Sequence, residues 1–272
     1  MAMLAQDRPL PNRALVARLV TAEARCMADW LGAMSRLPGN PYDAAVESIG
    51  HATALVCGAI DAQVFNRVIG LTVEDRDRIP EIIDLYDRHG ASPVFDLDPY
   101  AIPPYWVQPN VFEALGAAGF RHGAFHQLLY AVPRAAAPPL PEGVTIASVG
   151  PDEADAFCET YDRVWGESGA IRVLIGEPGF WCYLASVDGS PAGLGVLHVA
   201  DGVGSMANAL TVRPFRGRGC QTALLLHRFA AAHAAGCDLL VSQCMAGDTS
   251  QDNQLRAGFH IAGSKAWWVR PG

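Results

Sequence analysis

The chain has 272 residues and a formal net charge of -8, with 50% of its residues apolar and 18% charged. That is enough apolar sequence for one large or two ordinary cores, and it excludes a disordered chain. The acidic balance argues against nucleic acid as a general partner and weakly favours cationic or amine substrates. No apolar run reaches the ~20 residues needed to cross a bilayer, so no membrane is expected.

The N-terminal stretch M-A-M-L-A-Q-D-R-P lacks the charged-then-apolar pattern of a secretory leader. The seven cysteines (Cys26, Cys57, Cys158, Cys182, Cys220, Cys237, Cys244) are odd in number and scattered, with no C-x-x-C pair. Neither a zinc site nor a disulfide framework is expected, and a reducing cytoplasm fits best. Lys265 is the only lysine; the bias towards arginine reads as base composition of the source rather than chemistry.

In chain order, apolar residues recur three or four apart from Asn12 to Leu37 (Leu15, Leu19, Ala22, Cys26, Trp30, Met34), which predicts a long amphipathic helix stopped at Pro38-Gly39. Ala52–Ile60 and Val64–Leu71 read as neighbouring strands. Thr72–His89 reads as a helix with Glu74, Asp75 and Asp77 at its start, where the dipole favours acids, and Gly90 at its end. A strand at Pro93–Leu97, a short helix at Val111–Ala118 and a strand at His126–Val132 follow.

Pro133–Gly143 carries four prolines (Pro133, Pro138, Pro139, Pro141) and reads as the linker between two domains, residues 1–140 and 141–272. Beyond it come a strand at Val144–Val149 and a helix at Pro151–Trp165. The acids Asp152, Glu153, Asp155, Glu159 and Asp162 on that helix read as a solvated face. Phe180–Val187 and Ala192–Val199 form a hairpin through Asp188-Gly189. Gly204–Val212 is the next strand, and Cys237–Met245 follows a helix as its parallel partner. Ser250–Ala257 is a short helix and Ala266–Arg270 a closing strand. Leu115-Gly-Ala-Ala-Gly-Phe120 and Leu255-Arg-Ala-Gly-Phe259 make a faint repeat, so the halves read as two copies of one fold. Where the second copy has R-G-R-G, the first has Leu71-Thr-Val-Glu-Asp-Arg76, with acids where a phosphate would sit.

Arg216-Gly217-Arg218-Gly219, between a strand and an Ala/Leu helix, is the organising motif. Glycines let backbone approach a ligand, and the helix start offers unpaired N–H groups and the positive end of its dipole. Two arginines add charge, so a phosphate or pyrophosphate seat is expected. The P-loop pattern G-x-x-x-x-G-K-[ST] is absent. The dinucleotide pattern G-x-G-x-x-G is met at Gly217 and Gly219 but has Thr222 third, and Asp238 begins the following strand instead of ending it.

The third option is an acyl-CoA loop. Thr211-Val-Arg-Pro-Phe-Arg-Gly-Arg-Gly-Cys-Gln-Thr-Ala-Leu224 resembles the signature loop of the GNAT superfamily of N-acyltransferases. Asp248-Thr-Ser-Gln-Asp-Asn-Gln-Leu-Arg-Ala-Gly-Phe259 resembles that family's second motif. The resemblance covers about Val144 to Arg270, and the two-copy chain resembles tandem members with a degenerate first half. It implies an α/β (α+β mixed) fold of two GNAT-like domains, each a mostly antiparallel sheet flanked by helices. It also implies acetyl-CoA as co-substrate, an amine acceptor of small-molecule or peptide type, and direct attack on the thioester. Either a monomer or a homodimer is compatible with it.

By the resemblance, Arg216, Gly217, Arg218, Gly219, Cys220, Gln221 and Thr222 hold the pyrophosphate. The backbone of Leu210, Thr211 and Val212 holds the pantetheine arm and polarises the acyl carbonyl, and Ser250 and Asn253 bond the arm or the sulfur. Gln221 departs from the usual small residue, and Gln254 stands where a tyrosine often reprotonates the thiolate. The strand G-S-M-A-N-A-L-T has no carboxylate for a general base. Asn208 is the side chain there that can orient a water, and it reads equally as a satisfied strand residue. Cys220 at a helix start, His198, His227 and His233 read as structural; Trp165, Trp181, Trp267 and Trp268 read as aromatic core ahead of the lining of an acceptor pocket. Arg256 reads as a surface arginine or a partner for adenosine phosphates. Two further readings remain: a CoA-binding sensor without turnover, and a nicotinamide enzyme using Gly217 and Gly219.

Overall fold

A computed structural model describes residues 9–104, 106–107, 110–135 and 138–271. The N-terminal stretch read for a leader lies outside them. The chain divides into two compact units: residues 1–129 with 243–246 and 261–272, and residues 130–242 with 247–260.

In the first unit, helix α1 (Arg13–Ser35) starts at Asn12, whose side chain accepts the Leu15 N–H at 2.9 Å. Strands β1 (Ala44–Ile49), β2 (Ala52–Cys57) and β3 (Arg67–Ile69) follow. β1, which the sequence pattern did not reveal, pairs antiparallel with β2. The expected Thr72–His89 helix is two pieces, a 3-10 turn at Val73–Arg78 and helix α2 (Ile79–Arg88). Pro80, which has no N–H to give, sits at the start of α2, a position that tolerates it. Strand β4 (Val94–Leu97), helix α3 (Val111–Ala117) and strand β5 (Arg121–Ala131) complete the run.

The last strand of the chain, β11 (His260–Val269), is built into this unit, antiparallel to β4 with Ala266 opposite Leu97 and Trp268 opposite Phe95. The sheet order is β1-β2-β3-β4-β11-β5, with β3 and β4 parallel. One core lies under α2 and α3, where Ile79, Ile82, Leu85, Tyr86, Val111 and Leu115 meet Val56, Val68, Phe95 and Phe120. The linker-based division at residue 140 therefore differs from the observed one. Prolines mark where a strand cannot continue, but strand pairing decides which unit owns a strand, and the chain passes to the second unit at Tyr130, ahead of Pro133.

The second unit holds β6 (Val144–Ser148), α4 (Ala154–Asp162), α5 (Gly169–Arg172), β7 (Phe180–Val187), β8 (Ser190–Ala200), β9 (Val203–Thr211), α6 (Cys220–Ala234), β10 (Leu239–Met245) and α7 (Thr249–Ala257). The sheet runs β10-β9-β8-β7-β6. Asp188 and Gly189 both take positive φ, +49° and +79°, which a two-residue turn between twisted strands requires. The acids on α4 and the turn before it are exposed, as a solvated face should be. Short α5, lacking any periodic pattern, was not legible in the sequence. No helix among the described residues is long and apolar enough to cross a membrane.

Candidate functional site

The site begins where β9 loses its neighbour. β10 pairs with β9 only over Leu239–Val241 against Val203–Ser205. On its other side β9 stays with β8, with one extra residue bulged into β9 between the Val196/Asn208 and His198/Ser205 pairs. Val212 gives its N–H to Ala192 at 2.9 Å. Strand alternation then turns the N–H groups of Ala209 and Thr211 to the edge away from β8. Val212, expected to hold a ligand through its backbone, already has its N–H committed, and Leu210 falls in the same phase.

After a 3-10 turn at Arg213–Phe215, the loop reaches Gly217 at φ +76° and Gly219 at φ +81°. Both values lie in the left-handed region that favours glycine. The first backbone bond of α6 runs from the Ala223 N–H to the Gly219 carbonyl at 2.9 Å, so Cys220, Gln221 and Thr222 have no helical partner for their N–H groups. Gly219 also has no room for a side chain, since a Cβ there would stand 2.7 Å from Pro141 Cγ. Arg216 Nε donates to the Thr211 carbonyl at 3.3 Å and ties the loop to the strand.

These parts line one cleft of about 480 Å³, within the usual size of a ligand site. Ala209 to Thr211 form one wall, Arg216, Gly217 and Gly219 to Thr222 another, and Thr249, Ser250 and Asn253 of α7 a third. Thus ten of the expected binding residues meet there: Leu210, Thr211, Arg216, Gly217, Gly219, Cys220, Gln221, Thr222, Ser250 and Asn253. Arg218 instead faces a neighbouring hollow with Pro141, Glu142 and Asp188, and its guanidinium lies 3.3 Å from the Asp188 carboxylate. Asn208 is not in the lining; its backbone carbonyl accepts from Arg228 at 3.1 Å.

Burial pushes the Cys220 thiol above its ordinary pKa, outweighing the helix start and Arg218, so it is no activated nucleophile. Gln254 is buried and donates through Nε2 to Ser250 Oγ at 3.1 Å. Arg256 bonds Asn253 Oδ1 at 3.0 Å and pairs with Asp252 on the exposed side of α7. His198 lies tilted against Phe180 and His227 stands edge-on to Tyr183. Trp165 departs from the core reading: it is 67% exposed and, with Val164 and Phe215, lines the cleft. Among the described residues, no aspartate, glutamate or histidine lines the cleft.

Trp165 meets its pocket alternative, but sequence reasoning missed Ala209, Thr249, Val164 and Phe215 in the lining, and above all Arg228. Its signal was an arginine in the buried phase of α6, four residues after Leu224 and four before Ala232.

No protein-family model matches the sequence, and no curated protein matches it as a relative. Solved structures do. A GCN5-related N-acetyltransferase from Kribbella flavida superposes with a TM-score of 0.63 at 18% identity, over 92% of this chain and 96% of that one. Another from Sphaerobacter thermophilus gives 0.59 at 15%, over 92% and 94%. A tandem GNAT protein from the clavulanic acid biosynthesis pathway gives 0.57 at 15%, over 96% and 97%. The chain has the tandem GNAT fold. At such identities the likeness carries the architecture alone, so what the GNAT scaffold does here must come from the cleft itself.

In the first unit the corresponding turn is closed. Asp75, only 2% exposed, accepts N–H groups from His51 at 3.0 Å and Thr72 at 2.9 Å, and the Thr72 hydroxyl at 2.8 Å. Burial works to raise its pKa, but these donors outweigh burial and hold it below the ordinary aspartate value.

Proposed function

We propose that the second unit binds an acyl-CoA, with acetyl-CoA as donor, and transfers the acyl group to an amine. One observation supports this most: two left-handed glycines, three N–H groups without a helical partner at the start of α6 and the edge of β9 turned from β8 all open onto the same cleft. The N–H groups of Cys220, Gln221 and Thr222 suit a pyrophosphate, with Arg216 alongside for charge. The edge of Ala209 and Thr211 suits an extended amide arm that adds to β9 like a strand. The same edge offers N–H groups to the thioester oxygen as the amine attacks.

The Ser250 hydroxyl hydrogen-bonds the departing thiolate and relays to it the proton that water takes from the attacking amine. Its oxygen accepts from Gln254, which leaves the hydroxyl hydrogen to turn into the cleft. With no carboxylate or imidazole among the described lining residues, the amine enters neutral and water carries off its proton. The first unit takes no carrier, because Asp75 sets a buried carboxylate at its turn, held by the His51 and Thr72 N–H groups, where a phosphate would sit. Seven free buried thiols suit a reducing compartment.

Titration calorimetry with acetyl-CoA tests the reading, and Gly219→Val should weaken binding more than tenfold, about 1.4 kcal/mol. A parent that takes up no acetyl-CoA ends it. The missing base favours a second reading, a CoA-binding sensor without turnover. Thiol release from acetyl-CoA with an amine panel separates the two, since any amine-dependent release excludes the sensor.

A further inference from the structure

Arg228 is 0% exposed, and its partners are all carbonyls: Leu224 at 3.0 Å from Nε, and Val196 at 3.0 Å and Asn208 at 3.1 Å from one terminal nitrogen. The other terminal nitrogen is buried without an acceptor. Burial lowers its pKa to about 10, with Tyr183 opposing, so the group stays cationic at neutral pH. The fold makes room for it: a Cβ on Gly195 would stand 3.0 Å from Arg228 Nε and 3.1 Å from Cζ. A buried cation without a carboxylate costs stability, and packing alone would favour leucine here.

Its place in the strand shows what the charge can do. Val196 and Asn208 face each other across β8 and β9, at the last regular pair before the bulge. The Asn208 carbonyl and the Ala209 N–H belong to one planar peptide group, pointing to opposite edges of the strand. A cation against the oxygen draws electron density through that group and strengthens its N–H as a donor. Ala209 lines the cleft.

We infer that Arg228 is a positioning residue for acyl transfer, holding and polarising the Asn208–Ala209 peptide so that its N–H meets the oxyanion formed from the thioester carbonyl. The inference rests on the acyl-CoA reading of the cleft. It does not depend on the acceptor amine, because the polarised carbonyl belongs to the donor.

The test is infrared spectroscopy of acetyl-CoA carrying a ¹³C-labelled thioester carbonyl, bound to the full chain. In the parent the carbonyl band should move to lower frequency on binding. Arg228→Gln, which is shorter and carries no charge, and Arg228→Met should bind acetyl-CoA within about threefold of the parent, because the glycine loop is untouched. Both should lose at least half of the band shift. With an amine that turns over, kcat should fall roughly tenfold or more while KM for acetyl-CoA holds. If either variant keeps the parent's shift, the inference is wrong and the cleft reading stands. If the parent binds no acetyl-CoA, the cleft reading itself fails. Should both variants misfold, Gly195→Ala pushes the guanidinium aside without deleting it; an unchanged shift there overturns the inference, and a diminished one supports it.

Discussion

Single side chains set the chemistry of both turns. In the first unit Asp75 is the protein's own anion at the start of a helix, with its donors inside hydrogen-bond range. Since its folded pKa lies below the ordinary 3.8, its contribution is present above that value and lost as pH falls through the folded value. Asp75→Asn should therefore cost about 1–2 kcal/mol at neutral pH, and thermal melts should show the gap to the parent closing as pH falls below 4. A constant gap down to pH 2 would show that the charge is not what Thr72 and His51 read. In the second unit Ser250→Ala should lower kcat about tenfold or more, with acetyl-CoA affinity nearly unchanged, in steady-state assays with a competent amine. A change confined to KM would make Ser250 a binding contact only.

At the scale of elements, the telling piece is β11. Lys265, read from sequence as the stray lysine of an arginine-biased chain, is 1% exposed. It donates to both Glu23 oxygens at 2.9 and 2.7 Å and to Asp96 at 2.6 Å. Arg67 reaches the same two carboxylates at 2.8 and 3.1 Å, so helix α1 and strands β3, β4 and β11 close on one neutral quartet. Removing one charge leaves the others buried and unbalanced, so Lys265→Met should destabilise the first unit by roughly 3–5 kcal/mol in denaturant titration. A loss under about 1 kcal/mol would mean that the quartet repacks freely. His126, stacked on Trp267 at 3.8 Å, sits beside these charges. Burial pushes its pKa down to about 4; Lys265 and Arg67 push the same way, while Asp96 and Gln243 oppose. The unfolded imidazole takes its proton near 6.5 and the folded one only near 4, so stability falls as pH drops through that window. His126→Phe, which keeps a ring on Trp267, should flatten that part of the melting curve.

For the whole molecule, the ownership of strands matters more than the position of the linker. Residues 243–246 and 261–272 belong to the first unit. A fragment ending at residue 140 therefore lacks β11 and Lys265 and leaves Glu23 and Asp96 facing Arg67 alone. Circular dichroism and light scattering of that fragment should report an unfolded or aggregated chain. A monomeric, cooperatively melting fragment would show that β11 is dispensable. The full chain should take up one equivalent of acetyl-CoA by calorimetry, in the second unit, because Asp75 puts a buried carboxylate at the first unit's turn.

Some of this was written in the order of residues. Helical periodicity marked α1, the Asp188-Gly189 turn marked the β7–β8 hairpin, and Arg216-Gly-Arg-Gly219 before an apolar helix marked the glycine loop that lines the cleft, since each depends on neighbours within a few positions. Even the doubling of the fold left a trace in two short helices ending in glycine and phenylalanine. Tertiary structure decided the rest, because it rests on groups far apart in the chain. Neither the pairing of β11 with β4, nor the meeting of Glu23, Arg67, Asp96 and Lys265, nor the reach of Arg228 to the Asn208 carbonyl has a local signature. Each exists only where strand register and burial bring a charge to partners that its own segment does not hold.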